Sequence, residues 1–133
     1  MANKYLSRNM MTFEKGPVTI YGKAAIGVTG APTLNSAQSK GIFSIVRTGV
    51  GAYTINLGNA VSRDTYQRLM MFKELVIGAS STCVGCTVVA DNSSSTPSPN
   101  VAIQLTDGTG TAVELANGVS LLVKLILSNT TAF

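Results

Sequence analysis

Apolar and polar residues alternate along much of the chain, and this alternation predicts β-strands. Tyr53, Ile55 and Leu57 fall on one face of a short segment, and smaller or polar side chains fall on its other face. An apolar, β-branched run precedes this segment at 42–47, and the turn sequence 48–51 lies between the two. We therefore expect a hairpin with a four-residue loop.

Similar segments follow towards the end of the chain. Strands are predicted at 69–79, where a helix is the alternative, and at 86–90, 101–105 and 119–128. Between them, 61–68 is predicted to be a polar connection or a helical turn, and 107–110 and 117–118 are predicted to be Gly-rich turns. The stretch 91–100 is rich in Ser, Thr and Pro, so it is predicted not to form the hydrogen-bonded ladder of a β-sheet. In the last strand, the core face is expected to carry Leu121, Val123, Leu125 and Leu127. This spacing predicts an all-β fold, an antiparallel β-sandwich or barrel of jelly-roll type.

The first 40 residues show little regular patterning. Only 17–21 is typical of a short strand, and 22–32 is a run of small residues interrupted by Gly27 and Gly30. A segment with so little apolar content per residue rarely packs on its own. We therefore predict an extended N-terminal arm at 1–40 and a β-sandwich domain at 41–133.

The composition suggests that other protein covers part of the surface. The chain has 133 residues, the size of one domain, and 45% of them are hydrophobic. Charged residues make up only 12%, which is about half the usual share of roughly 25%. So low a charge, in a chain rich in Gly, Ser and Thr, suggests surface that is reserved for neighbouring molecules.

The absence of histidine excludes several kinds of chemistry. Histidine acid–base catalysis, His-ligated metals and nucleophile–His–acid triads cannot be assembled within this chain. Glu74 and Glu114 are isolated in the sequence, and the paired glycines lack the phosphate-loop spacing. We therefore expect no catalytic residue, no cofactor, no metal and no small-molecule substrate, and we predict that the protein is not an enzyme.

The pair Cys83 and Cys86 is the one motif with possible redox or metal chemistry. A redox CxxC needs a helix N-terminus to lower the thiol pKa, but the β-branched run at 87–89 is a poor helix start. A zinc site needs about four ligands, so only a symmetric dimer would complete one. Small buried or turn thiols are the favoured interpretation, and a thiol oxidoreductase is the alternative.

The positive charge is concentrated near the N-terminus. Residues 1–50 carry six cations against one carboxylate, and residues 51–133 carry four cations against five carboxylates. The cations are spaced singly, and no Lys/Arg-rich run is interleaved with aromatics, so the sequence does not favour a nucleic-acid partner. The apolar stretch 121–127 is too short to span a bilayer, and no secretory signal is visible. We expect no membrane partner.

Two groups of residues are candidate contacts with neighbouring protein subunits. In the arm, apolar side chains would anchor and cations would steer: Tyr5, Leu6, Met10, Met11 and Phe13, with Lys4, Arg8 and Lys15. The arm either folds back on its own sheet or docks on a neighbouring subunit, and we favour docking. Leu122 and Ile126 lie on the second face of the last strand, where a monomer would normally be polar. We therefore predict a homo-oligomer.

Residues 41–129 resemble a family of small tailed-phage virion proteins. The resemblance rests on the hairpin sequence at 41–57, on the block at 101–105 and on the closing segment from 116 to 129. Its recognisable parts are the Arg-Thr-Gly-x-Gly-x-Tyr-Thr-Ile hairpin and the terminal Leu-x-Leu-x-Asn strand. Residues 1–40 and the two cysteines lie outside it.

The resemblance implies a capsid decoration (cement) protein. Such a protein is β-rich and is made in the host cytoplasm. It binds the major capsid protein on the exterior of the virion and acts as an oligomer, often a trimer. It transfers no catalytic residue. A tail, baseplate or fibre-base structural component is the alternative assembly role.

Overall fold

The computed structural model describes residues 17–57, 68–78, 83–95 and 98–128. The strands in these ranges are β1 (Pro17–Ile26), β2 (Pro32–Leu34), β3 (Ile42–Gly49), β4 (Ala52–Leu57), β5 (Arg68–Ile77), β6 (Gly85–Asn92), β7 (Asn100–Thr106) and β8 (Ser120–Ser128). A single turn of 3-10 helix, Ser36–Gln38, follows β2. None of the described residues forms an α-helix. Within the segment 69–79, the described part up to Ile77 is therefore strand, which the sequence favoured over helix.

The strands form two antiparallel sheets that pack into a sandwich. The first sheet has the order β2, β1, β8, β5, and the second has the order β3, β4, β7, β6. All neighbouring strands within each sheet are antiparallel. The prediction of an all-β antiparallel sandwich is confirmed.

The core is built from alternating side chains of both sheets. The fully buried residues of β4, β7 and β8 include Tyr53, Ile55, Val101, Ile103, Leu105, Leu121, Leu125 and Leu127. These are the positions that the alternation predicted, because successive side chains of a strand point to opposite faces. Burial of each Val, Leu or Ile contributes roughly 1.5–3 kcal/mol.

The predicted boundary at residue 40 lies inside the sandwich. β1 pairs along its length with β8, and its side chains Ile20, Ala24 and Ile26 are buried in the core. Small residues in this segment mark close packing: a Cβ at Gly22 would lie 2.7 Å from the Cδ1 atom of Ile42. The small residues of β1 therefore indicate close packing within the sandwich, and the prediction of an extended arm is wrong for residues 17–40. Residues 1–16 lie outside the described residues.

The hairpin loop is shorter than predicted. β3 continues to Gly49 and β4 begins at Ala52, so the loop has two residues, Val50 and Gly51, and not four. Gly51 has a φ of +63°, and a Cβ there would collide with the carbonyl oxygen of Val113. The glycine thus permits a tight turn against a neighbouring loop.

The second hairpin is longer than predicted. β6 continues through Asp91 and Asn92, which pair with Val101 and Asn100. The prediction that 91–100 forbids a ladder is wrong at both ends, because the serine- and proline-rich part begins only after Asn92. The connection predicted at 61–68 lies outside the described residues except for Arg68, which begins β5.

Candidate interaction surface

The outer face of the first sheet consists of side chains from β1, β8 and β5 that point away from the core. Its rows across these three strands are Thr19, Ile126 and Met71; then Tyr21, Lys124 and Lys73; then Lys23, Leu122 and Leu75; then Ala25, Ser120 and Ile77. The intervening residues of β8, such as Leu121 and Val123, are buried on the other side. The pairing register of the three strands thus determines which side chains lie next to each other on this face.

Large apolar side chains on this face are open to solvent. Leu75 is 57% exposed, Met71 and Ile77 are each 49% exposed, and Tyr21 is 47% exposed. Leu122 and Ile126, which the sequence singled out, lie on the same face of the central strand β8 and are half-buried. An antiparallel sheet that faces water usually carries polar residues on that side, so this face departs from the usual pattern.

A groove of about 440 Å³ lies on the same face. Its lining includes Tyr21, Lys23, Lys73, Leu75, Leu122 and Gln38 from the 3-10 helix. This volume falls within the range of roughly 300–1,000 Å³ typical of ligand pockets. The groove therefore offers a concave contact with apolar and cationic walls.

The charge on this face is positive. Lys73 and Lys124 lie directly opposite each other on β5 and β8, and Lys23 lies in the next row. Like charges at directly opposed positions destabilise a sheet. Glu74 borders the groove, but its register opposite the buried Val123 directs its side chain to the inner side of β5. Among the described residues, no carboxylate points outward beside these lysines.

The outer face of the second sheet is different. One row across it is formed by Ser44, Asn56, Asn100 and Asn92. Asn56 Nδ2 donates to Ser44 Oγ at 2.9 Å, and Asn92 Nδ2 donates to Asn100 Oδ1 at 3.2 Å. Side chains of this kind are satisfied by one another and by water. Phe43, Val46 and Val89 of this sheet are also exposed, at 71%, 46% and 66%. Among the described residues, what distinguishes the first sheet is that its exposed apolar side chains lie beside lysines.

The two cysteines are placed against the core. Cys86 lies on β6 opposite Leu105, and both thiols are free. Burial, followed by the nearby Glu74 carboxylate, raises the pKa of Cys86 to about 12 and also raises the pKa of Cys83. A redox CxxC needs a lowered pKa at a helix N-terminus. The arrangement matches the favoured interpretation of partly buried thiols.

Sequence reasoning missed an ion pair at one end of the sandwich. The Arg47 guanidinium is bound to the Glu114 carboxylate, with Nε donating to Oε2 at 2.9 Å. This hydrogen bond lowers the pKa of Glu114. The buried Tyr53 hydroxyl donates to the Gly30 carbonyl at 3.2 Å and lies 3.4 Å from Glu114 Oε1.

These contacts tie loops of the sandwich together. They join β3 and β4 to the loop after β1 and to the loop before β8. Burial, followed by the charge of Glu114, raises the pKa of Tyr53 to about 12. Arg47 and Glu114 are separated by 67 residues, so no local sequence signal pairs them.

The predicted arm contacts lie outside the described residues, and the structure therefore does not place them: Lys4, Tyr5, Leu6, Arg8, Met10, Met11, Phe13 and Lys15. Within residues 17–57, 68–78, 83–95 and 98–128, no three His, Cys, Asp or Glu side chains are grouped as a metal site requires. The same residues include no helix with the length and apolar character needed to span a membrane.

Comparison with known proteins adds no relative. No protein-family model, curated protein or solved structure matches the chain.

Proposed function

We propose that the chain is a structural protein of a tailed-phage virion, which decorates and stabilises the capsid. It binds the major capsid protein on the outside of the shell and acts as a homo-oligomer, with a trimer favoured. No substrate is turned over and no cofactor is used. The protein acts by binding to the outer surface of the shell.

The observation that carries this proposal is the outer face of the first sheet. Leu75, Met71 and Ile77 would remain in contact with water in an isolated monomer. Contiguous apolar surface on a soluble protein marks an interaction site. The low content of charged residues and the resemblance of residues 41–129 to small virion proteins point in the same direction.

Strand β5 offers a further contact for assembly. It forms one edge of the first sheet, and among the described residues no strand pairs with its outer side. Its ten residues make it as long as β1. A long edge strand is a template for pairing with another chain. Edge pairing between copies would leave the outer face of the first sheet free for the shell.

Binding of this kind stabilises a shell by mass action. A ligand that binds only the assembled shell lowers the free energy of that state relative to the dissociated subunits. An oligomer that contacts several shell subunits also gains effective concentration, because each further contact is intramolecular. Stabilisation therefore requires both a docking face and self-association.

The test compares binding of the purified full-length chain to expanded empty heads of the source phage and to isolated tails. Wild-type protein is expected to bind heads in many copies and to raise the temperature at which they disrupt. Leu75→Asp should weaken binding by at least about tenfold, since a charge replaces an apolar contact. Val89→Asp is the matched control, because Val89 is 66% exposed on the second sheet. Binding to tails alone, in few copies, would contradict decoration and support the tail or baseplate alternative.

A further inference from the structure

We infer that the groove on the outer face of the first sheet binds an acidic, partly apolar segment of a different protein, and not a second copy of this chain. In the context of the proposed function, that protein is the capsid shell protein, and this identity alone rests on the proposed function. The inference concerns the chemistry of the partner, which follows from three properties of the groove.

The first property is uncompensated positive charge. Lys73 and Lys124 are directly opposed on neighbouring strands, and Lys23 lines the same groove. Such a like-charge pair costs stability in the isolated sheet. A carboxylate seated between the two lysines would turn this repulsion into attraction, and the gain would be realised only on binding. Complementary charge also steers association and suppresses wrong partners.

The second property is that the positive charge of the groove excludes two parts of this chain as its occupant, the same face of a second copy and the N-terminal segment. A two-fold contact between identical faces would bring the three lysines of one copy towards those of the other. The N-terminal segment 1–16 is also mismatched, because it carries Lys4, Arg8 and Lys15 against Glu14 alone. The occupant must therefore supply the carboxylates, which favours another protein.

The third property is the apolar lining, which favours a protein segment over a bare polyanion. Leu75 and Leu122 line the groove beside the lysines, and Tyr21 is its single described aromatic residue. A groove for single-stranded nucleic acid combines a cationic track with several stacking aromatics. Aliphatic side chains next to ammonium groups are instead matched by a peptide that carries both apolar and acidic residues.

The direct test measures fluorescence anisotropy of a short labelled peptide in which glutamate alternates with leucine. We expect the full-length chain to bind it. A peptide with Gln for Glu, or with Ser for Leu, should bind about tenfold more weakly or worse. Lys124→Glu should weaken binding of the first peptide by a similar factor. Thr87→Glu is the control and should bind as wild type does, because Thr87 is exposed on the second sheet and its substitution adds a carboxylate away from the groove.

Loss of folding does not account for the expected result. Lys124→Glu places a carboxylate opposite Lys73, so the variant should resist urea at least as well as wild type. Three outcomes would overturn the inference: no binding of the glutamate–leucine peptide, equal binding by wild type and Lys124→Glu, or tighter binding of single-stranded DNA or phosphatidylserine vesicles than of the peptide.

Binding to phage heads separates this inference from the proposed function. If wild-type protein does not bind heads, the proposed function fails, while the peptide result decides the inference independently. If wild type and Lys124→Glu bind heads equally well, decoration stands and the assignment of this groove is wrong. Weaker binding by Lys124→Glu, with Thr87→Glu unchanged, would support both.

Discussion

The hydroxyl of Tyr53 is the polar end of an otherwise apolar core side chain. It donates a hydrogen bond to the Gly30 carbonyl, and the whole residue is buried. Tyr53→Phe leaves that carbonyl without this donor, so the free energy of unfolding should fall by about 0.5–1.5 kcal/mol. Urea denaturation measures the change. The control is Tyr21→Phe, because Tyr21 is 47% exposed. Equal stability of the two variants would show that the Tyr53 contact contributes nothing.

The ion pair between Arg47 and Glu114 makes stability depend on acid pH. The hydrogen bond from Arg47 lowers the pKa of Glu114 in the folded protein. The contribution of the ion pair to stability is therefore fully present above pH 4.5, the ordinary pKa of a glutamate in the unfolded chain. It is lost as the pH falls through the lower pKa that Glu114 has in the folded protein. Glu114→Gln should reduce the loss of stability between about pH 7 and pH 3, as measured by urea midpoints at each pH.

Some acid sensitivity will remain in the Glu114→Gln variant. Hydrogen bonds from Thr109 and Thr111 lower the pKa of Asp107 as well. Asp107→Asn is therefore the comparison that separates the two carboxylates. If Glu114→Gln loses as much stability in acid as wild type does, the ion pair is not the source.

The thiol of Cys86 should be slow to react. Burial raises its pKa to about 12, so very little thiolate exists near neutral pH. We expect alkylation by iodoacetamide at about pH 8 to be at least about tenfold slower than for glutathione. Cys83→Ser leaves Cys86 as the single thiol and allows the rate to be assigned. Alkylation faster than that of glutathione would point to a lowered pKa and would favour the thiol oxidoreductase alternative.

At the scale of the element, β1 depends on the absence of a side chain at Gly22. A Cβ at this position would lie 2.7 Å from Ile42 Cδ1, which is too close for two carbon atoms. Cδ1 is the flexible end of the Ile42 side chain and can shift, so Gly22→Ala should lower the free energy of unfolding by about 1 kcal/mol, at the low end for overpacked cores. Denaturant titration measures it.

A second substitution tests the cause. Ile42→Val removes the Cδ1 atom, so Gly22→Ala should cost less in that background than in wild type. Because Ile→Val by itself costs about 0.5–1.5 kcal/mol, the comparison requires a double-mutant cycle. Additive effects would show that the contact with Ile42 is not what restricts position 22.

The same strand shows what the sequence can and cannot predict about the fold. Alternation identified the buried faces of β4, β7 and β8, because each places large apolar residues at every second position. In β1 the buried face includes Gly22 and Ala24, whose small size comes from the closeness of other elements. That closeness is a property of tertiary packing, so no local pattern in β1 indicates it.

The candidate site was predicted only in part for a related reason. Leu122 and Ile126 were visible because β8 carries apolar residues on both faces. Their neighbours on β5 depend on an irregular register between Leu69 and Met71. This shift leaves Leu69 on the core side and Met71 on the outer face, so simple alternation does not assign β5 correctly. The opposition of Lys73 and Lys124 likewise follows from strand pairing.

At the scale of the whole molecule, the sandwich is two-sided. Both sheets carry exposed apolar side chains, but the second sheet combines them with a polar row, while the first combines them with lysines. The groove is assigned to a partner that supplies carboxylates. The proposed self-association would then use other surface, and the outer edge of β5, the N-terminal segment and the exposed Phe43 and Val46 of the second sheet are candidates. The two contacts are therefore separable by mutation.

Light scattering of the full-length chain tests this separation. At micromolar concentration we expect a mass that is a multiple of 13.8 kDa, and three times that value would identify the trimer. Leu75→Asp should keep the oligomeric mass while losing head binding, because Leu75 lies in the groove. Combined Leu6→Ser, Met10→Ser and Phe13→Ser should lower the mass if the N-terminal segment joins the copies, since each loses roughly 1.5–3 kcal/mol of apolar burial. A sharp monomer mass for wild type would exclude the oligomer, and dissociation by Leu75→Asp would show that the copies meet through the groove itself.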